Sequence, residues 1–122
     1  MQLVFADSEV ARVDGQGDTL ILRFAAAAIE QGPAGEDGYL PGLTLAFQQA
    51  RWQGDPAACF GRLVEGELSD GISRFTRLEL PFDGPGPWRV ELLFAHGRRL
   101  VVDAQRVTAS AGDAPLRPSY AC

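Results

Sequence analysis

Hydrophobic side chains recur at every second residue over several separate stretches of this chain. The clearest stretches are 18–26, 43–52, 59–70 and 73–82. A period of two places successive side chains on opposite faces of a β-strand, so each stretch predicts a strand with one face toward a core. No amphipathic helix of comparable length is evident. The short run "AAAAIEQ" (25–31) directly follows such a stretch and favours a strand end or a single turn.

Clusters of Gly, Pro and Asp separate these stretches and have the composition of turns. They lie at 14–18, 32–38, 53–56, 69–71 and 83–87. Turn signals spaced about ten residues apart are typical of all-β folds. The pattern predicts an all-β, mostly antiparallel β-sandwich or barrel of about seven to nine strands, with meander-like hairpins.

The length of 122 residues indicates one domain with a core of its own. We expect the all-β domain to occupy residues 1–109. Residues 110–122 contain Pro115 and Pro118 and show no periodicity. They predict an irregular C-terminal tail.

Charge and composition restrict the partners that this chain can bind. The formal net charge is -5, which disfavours nucleic acid as a partner because that affinity is largely cationic. All 11 basic residues are Arg, and neither Lys nor Asn occurs, which indicates a GC-rich, bacterial genome.

No signal-peptide pattern opens the chain, and its apolar runs are too short to span a bilayer. We therefore expect a cytoplasmic location and no membrane partner.

Motifs for metals, cofactors and nucleophiles are absent from the sequence. One His and two distant Cys residues give no zinc spacing, and 14–18 lacks the ligand ladder of a calcium loop. Neither G-x-S-x-G nor S-x-x-K occurs. We expect no cofactor and no metal. Cys59 and Cys122 are expected to be free thiols, and Cys59 a small buried side chain, since pairing with His96 requires the fold to bring a strand beside a turn.

The stretch "WRVELLFAHGRRLVV" (88–102) contains the only histidine, His96. A two-residue loop would place Asp103 on the apolar face, whereas a three-residue loop over 95–97 superimposes the apolar faces of both flanking strands. It also places Arg89 opposite Asp103 and Gly97 at the left-handed third position of the loop. We therefore predict that His96 is the exposed tip of a hairpin. The predicted cross-strand pairs are Phe94 with Arg98, Leu92 with Leu100, Val90 with Val102, and Trp88 with Ala104.

Glu65 and Glu67 form a pair of carboxylates at alternate positions of one predicted strand. Their Cβ atoms are expected to lie about 7 Å apart, near the separation of a glycosidase pair. Charged residues at alternate strand positions are usually solvated, and that interpretation is favoured. A small hydrolase that uses Glu65 and Glu67, or His96, is the catalytic alternative.

Five aromatic side chains lie at predicted strand ends or beside loops. Aromatic faces at the mouth of a sandwich or barrel can bind a sugar or an apolar ligand, and they can equally plug the ends of the core. The long acidic loop 30–42 is either a binding element or a connector. The candidate ligand-binding residues are Tyr39, Trp52, Phe60, Phe82 and Trp88.

The sequence as a whole favours a non-catalytic binding or interaction domain, which acts as a homo-oligomer or with a protein partner. Apolar residues at outward strand positions, Ile21, Leu93 and Val101, fit a dimer contact or a second layer of core. A carrier of a small molecule in an aromatic-lined pocket is the first alternative, and the hydrolase is the second.

Overall fold

The computed structural model describes residues 1–32, 35 and 37–111, together with the backbone of 117–118. Apart from a single 3-10 turn at Pro56–Ala58, its regular structure is β-strand. No helix in this described part of the chain is long and apolar enough to cross a membrane. The strands are β1 (Gln2–Gln16), β2 (Thr19–Glu30), β3 (Gly38–Leu40), β4 (Thr44–Gln48), β5 (Arg51–Gln53), β6 (Gly61–Ser69), β7 (Arg74–Phe75), β8 (Arg77–Glu79), β9 (Phe82–Phe94), β10 (Arg99–Ser110) and β11 (Arg117–Pro118).

Six of these strands close into an antiparallel β-barrel, which confirms the all-β prediction and selects the barrel over the sandwich. Their order around the barrel is β2, β4, β10, β9, β6 and β1, and β1 closes the ring by pairing with β2. The other five strands are two or three residues long and lie outside the ring. The described chain thus has more strands than the seven to nine predicted, because such short pairings leave no period-two signal.

The barrel interior is filled by the alternate side chains that the sequence pattern predicts. Leu20, Leu22 and Phe24 of β2 are almost completely buried, as are Leu45 and Phe47 of the neighbouring strand β4. Burying an aliphatic or aromatic side chain of this size contributes about 1.5–3 kcal/mol. The core is therefore a continuous packed interior.

Two sequence stretches fold differently from the prediction. Residues 83–87, predicted as a loop, lie inside β9. Gly84 and Gly86 are required there because added Cβ atoms would lie 2.6 Å from the Phe82 ring and 2.7 Å from the Ala104 carbonyl oxygen. Residues 73–82, predicted as one strand, are divided between β7, β8 and the start of β9.

Other predicted turns are confirmed, and part of the prediction lies outside the described residues. The turn between β1 and β2 falls at 17–18, within the predicted 14–18. In the acidic loop 30–42, residues 33, 34 and 36 are not described, while β3 pairs with β2. Most of the predicted tail 110–122 is likewise outside the described residues. The backbone of β11 in that segment pairs with β3.

The hairpin of β9 and β10 has the predicted register. Leu92 lies opposite Leu100, Val90 opposite Val102, and Trp88 opposite Ala104. The Phe94 amide donates to the Arg98 carbonyl at 2.9 Å, and the Gly97 amide donates to the Phe94 carbonyl at 2.9 Å. Gly97 has φ of 96°, the left-handed conformation that the three-residue loop requires.

Gly97→Ala should lower the free energy of unfolding by about 1–2 kcal/mol, because Ala resists a left-handed backbone even where space is available. No atom lies within 4 Å of an added Cβ at this position, so the cost is conformational. His96→Ala should cost about 0.5–1 kcal/mol through lost hydrogen bonds. Urea unfolding of both variants measures the difference. A larger loss for His96→Ala would contradict this account of the loop.

Two bidentate ion pairs lie on the outer face of this hairpin. Arg89 donates to both carboxylate oxygens of Asp103 at 2.8 and 3.0 Å, which confirms the predicted pair. Arg106 donates in the same way to Asp83, at 2.8 and 2.8 Å. Hydrogen bonding from Arg89 lowers the pKa of Asp103, and hydrogen bonding from Arg106 lowers the pKa of Asp83.

The lowered carboxyl pKa of Asp103 predicts a small dependence of stability on pH. Its contribution is present above the unfolded pKa of about 4 and is lost as pH falls through the lower folded pKa. Both side chains are about half-exposed, so solvent and salt screen the effect. Asp103→Asn should therefore flatten the acid side of the stability curve in low salt. Asp18→Asn, at the β1–β2 turn, is the control, and an equal flattening there would contradict the prediction.

Strand β1 changes partners along its length. Gln2–Val4 pairs with β8, whereas Glu9 and Val10 pair with β6. The pairing of β1 with β2 is irregular between these segments, where Asp7 has φ of 69°. The Ser8 side chain is fully buried at this point and supplies hydrogen bonds where the β1–β2 pairing is interrupted. Its hydroxyl donates to the Val4 carbonyl at 2.6 Å and accepts from the Ala28 amide at 2.8 Å.

Candidate binding groove

An open groove lies on the outer surface of the barrel where β1 changes partners. It has a volume of about 510 Å³ and runs between β6 on one side and β1 with the start of β8 on the other. The adjoining outer faces of β9 and β10 complete it. Within the described residues, the 63–67 segment of β6 has a ladder partner only in β9. The groove is therefore the space left where β1 does not pair with this segment of β6.

Gly66 and Phe5 form the wall between this groove and the core. Gly66 is buried, and a Cβ atom added to it would lie 2.3 Å from Phe5 Cβ. The missing side chain lets β1 cross close to β6 and lets the Phe5 ring enter the core. Phe5 is 1% exposed. The close approach of the two strands thus closes the bottom of the groove.

Apolar side chains form one part of the groove lining. Val64 is 43% exposed and lies where the register between β6 and β9 shifts, between Leu63 and Glu65. Leu93, one of the outward apolar residues noted in the sequence, is half-buried and belongs to this lining. Val4 and Ala6 face it from β1. A partner that covers these side chains would gain from burying them.

Three carboxylates lie beside the apolar lining. Glu67 of β6 and Glu91 of β9 are directly opposite in register. Glu65 lies two residues before Glu67, on the same face of β6. Like charges directly opposite each other on a sheet are unfavourable. Glu67 has a weak ion pair with Arg74, with a nitrogen–oxygen distance of 3.5 Å. A smaller recess of about 140 Å³ adjoins the groove and shares Glu67 and Glu91 with it.

The basic residues of the groove are Arg77 and Arg99. Arg77 donates to both carboxylate oxygens of Glu30, at 2.8 and 3.0 Å. Hydrogen bonding from Arg77 lowers the pKa of Glu30, so both members of the pair stay charged. Arg77 is therefore already neutralised by a neighbour, and the remaining charge balance of the groove is acidic.

His96 lies outside the groove and has a structural environment. The Arg98 amide donates to His96 Nδ1 at 3.3 Å, and Nε2 lies 2.8 Å from the Phe60 carbonyl oxygen. With Nδ1 as acceptor, Nε2–H is the group that donates to the Phe60 carbonyl. The ring stacks on Phe94, with 5.6 Å between centroids. These contacts hold the hairpin against the segment that precedes β6.

The fold brings the Cys59 segment beside the His96 turn, since the Phe60 carbonyl contacts His96 Nε2. Cys59 is a free cysteine and is 1% exposed. Burial raises the pKa of its thiol, and the charge of Asp55 raises it further. Since the thiolate is the nucleophile, this environment opposes reactivity. Cys122 lies outside the described residues.

The five aromatic residues singled out in the sequence are distributed over separate places. Phe82 and Trp88 meet edge to face at the start of β9, with centroids 5.8 Å apart, and Phe60 packs on His96 near its end. Trp52 lies against Gly15, and Tyr39 is half-buried in β3. Phe82, Trp88 and Trp52 pack against the core. Only Phe82 and Trp88 are brought together, which favours the core-plug interpretation over a shared aromatic pocket.

Glu65 and Glu67 both line the groove, so the sequence argument found part of it through their carboxylates. It missed Val4, Ala6, Val64 and Glu91. A strand pattern reports which residues face outward, and the concavity arises from the partner change of β1, which the pattern does not encode. Among the described residues, no group of three or more His, Cys, Asp or Glu side chains is arranged to hold a metal ion.

The chain was compared with protein-family models, with curated proteins and with solved structures, and none of the three comparisons gave a match. The physical features of the groove are therefore the basis for assigning a function.

Proposed function

We propose that this protein is a non-catalytic binding domain that contacts a protein partner through the groove between β6 and β1. The observation that carries the proposal is the groove itself, where exposed Val64, half-buried apolar side chains and carboxylates face an opening of about 510 Å³. Contiguous exposed apolar surface with a polar rim is typical of interaction sites.

Other features support binding over catalysis. A hydrolase that uses His96 would need that ring in the groove, yet His96 lies elsewhere and both its ring nitrogens have backbone partners. Cys59 is buried, with a raised thiol pKa. Glu65 and Glu67 line an open groove on the outer surface of the barrel, whereas a catalytic pair needs a closed cleft. In contrast, apolar and charged groups side by side are sufficient for recognition.

The test is a selection for peptides that bind the immobilised protein, from a random display library. Leu93→Arg places a charge in the apolar part of the groove and should weaken the selected peptides at least about tenfold, or about 1.4 kcal/mol. Ile21→Arg is the matched control, because Ile21 is also half-buried and outward-facing but lies on β2, across the barrel. Recovery of no peptide that depends on Leu93 would contradict the proposal.

A recess beside Trp88 supports a second candidate, a small-ligand carrier. It has a volume of about 250 Å³ and is lined by Pro87 and Trp88 with polar side chains that include Asp70 and Gln105. An apolar surface with a few polar groups suits a sugar or a similar metabolite. Tryptophan fluorescence against a panel of sugars tests it, with Trp52→Phe used to isolate the Trp88 signal. An unchanged spectrum across the panel would remove this candidate.

We further propose that the protein acts in the bacterial cytoplasm. The exclusive use of Arg among its basic residues supports a GC-rich bacterial origin, and the free thiol of Cys59 suits a reducing compartment. Fractionation of cells that express the tagged protein tests the location, and recovery outside the cytoplasm would contradict it.

A further inference from the structure

We infer that the groove binds an extended segment of a partner protein in which residues two apart, which share one face, alternate between apolar and basic side chains. The inference rests on the proposed function, because it names the kind of partner that the same groove takes. Three features carry it: the strand spacing of the lining, its unbalanced carboxylates and the apolar side chains between them.

The lining has the spacing of an extended chain. It is built from outward-facing residues two apart on neighbouring strands, such as Glu65 and Glu67 on β6 and Glu91 and Leu93 on β9. Residues two apart on a strand are separated by about 7 Å. An extended peptide laid along these strands repeats at the same distance, so its alternate side chains can meet successive lining residues.

Charge determines which side chains the peptide carries. Glu67 and Glu91 lie opposite each other, and within the described residues neither Glu65 nor Glu91 has an ion pair within 4.0 Å. Arg77, at the other side, is already bound by Glu30, so the lining has three carboxylates against the single guanidinium of Arg99, which lies opposite Leu93. A guanidinium or ammonium group placed among the three carboxylates relieves their repulsion and gains charge-assisted hydrogen bonds. An acidic segment would add to the repulsion.

The apolar lining requires that same-face residues of the peptide, two apart, alternate between basic and apolar. Leu93 follows Glu91 at the next outward position of β9, and Val64 adjoins Glu65 on β6. A basic side chain over the carboxylates therefore places the side chain two residues along the peptide over Leu93 or Val64, where an apolar side chain is favoured. A uniformly basic segment would leave this apolar surface poorly covered.

Short synthetic peptides test the inference by fluorescence anisotropy. A peptide that repeats Val-Ser-Arg-Ser should bind at least about tenfold more tightly than peptides that repeat Val-Ser-Glu-Ser or Ser-Ser-Arg-Ser, here named the Val–Arg, Val–Glu and Ser–Arg peptides. Its affinity should fall with added salt, since the contacts are charged. Equal binding of the Val–Arg and Ser–Arg peptides would overturn the apolar part of the inference.

A charge swap tests the site. The double variant Glu65→Arg, Glu91→Arg should reverse the preference, so that the Val–Glu peptide binds more tightly than the Val–Arg peptide. The control is Asp14→Arg with Asp18→Arg, which changes the net charge equally but at the β1–β2 turn. The control should keep the original preference. Reversal in both double variants would attribute binding to net charge and overturn the inference.

The outcomes separate this inference from the proposed function. Peptides selected from the library that depend on Leu93 but are acidic or uncharged would support the groove and overturn the basic partner. Light scattering over a range of concentrations adds one more outcome. Self-association that Leu93→Arg abolishes would identify a second copy of this chain as the occupant, and it too would overturn the inference.

Discussion

Gly66→Ala should be among the most destabilising single substitutions in this barrel. A Cβ atom at this position would lie 2.3 Å from Phe5 Cβ, 2.8 Å from Phe5 Cγ and 3.1 Å from Leu92 Cδ2. The nearest of these atoms is bonded directly to the β1 backbone, so relief requires two barrel strands to separate. Overpacking of this kind should cost about 3 kcal/mol. Thermal unfolding should show a midpoint lowered by about 10 °C.

Gly97→Ala is the matched comparison for this substitution. Gly97 has a left-handed backbone and open space around it, whereas Gly66 has no room for a Cβ atom. The two variants thus separate a conformational cost from a steric one. Equal stability of the two proteins would contradict the close contact between β1 and β6. Gly66→Ala should also weaken peptides selected for the groove, because separating the strands changes its shape.

Ser8→Ala should lower the free energy of unfolding by about 2–3 kcal/mol. The substitution removes a hydroxyl that is 0% exposed and leaves the Ala28 amide and the Val4 carbonyl without their partner. Unsatisfied buried polar groups cost more than the net value of the bonds they lose, because they stay desolvated. Urea unfolding measures the change.

Ser110→Ala is the control for Ser8, since Ser110 is exposed at the end of β10. It should change stability by less than about 0.5 kcal/mol. Faster amide hydrogen exchange at Ala28 in the Ser8→Ala protein would locate the loss at the β1 irregularity. An unchanged exchange rate at Ala28, together with full stability, would show that Ser8 does not hold the irregularity in place.

The fold class was predictable because alternation reports directly on which side of a strand faces the core. Leu92 and Leu100 illustrate this, since superimposing the apolar faces of their strands predicts the register that β9 and β10 have. Gly97 supplied an independent indication through turn chemistry. Two unrelated physical requirements, the register of the apolar faces and the chemistry of the turn, thus predict the same hairpin.

Glycine and proline were less informative where they lie inside a strand. Residues 83–87 have the composition of a turn, yet they continue β9, because Gly84 and Gly86 serve close packing against Phe82 and Ala104. Turn composition and tight packing both select residues without a Cβ atom. A single sequence does not distinguish these two causes.

The candidate site was only partly predictable for a related reason. Glu65, Glu67 and Leu93 were identified as outward-facing, and all three line the groove. Their convergence with Val4 and Ala6 depends on β1 leaving one partner and taking another, at an irregularity centred on Asp7 and Ser8. Such a long-range arrangement leaves no periodic signal in the residues that form it.

The partner change of β1 also has a consequence for folding speed. The β1–β2 hairpin is local in the chain, but the pairs that β1 makes with β6 and β8 join residues far apart in sequence. Loop-closure entropy opposes such pairs until many contacts form together, and β proteins of this kind fold on the order of milliseconds to seconds. We expect barrel closure to be the slow step. The groove would then first exist when folding is complete, so a partially folded chain would present its apolar surface without the site that recognises a partner.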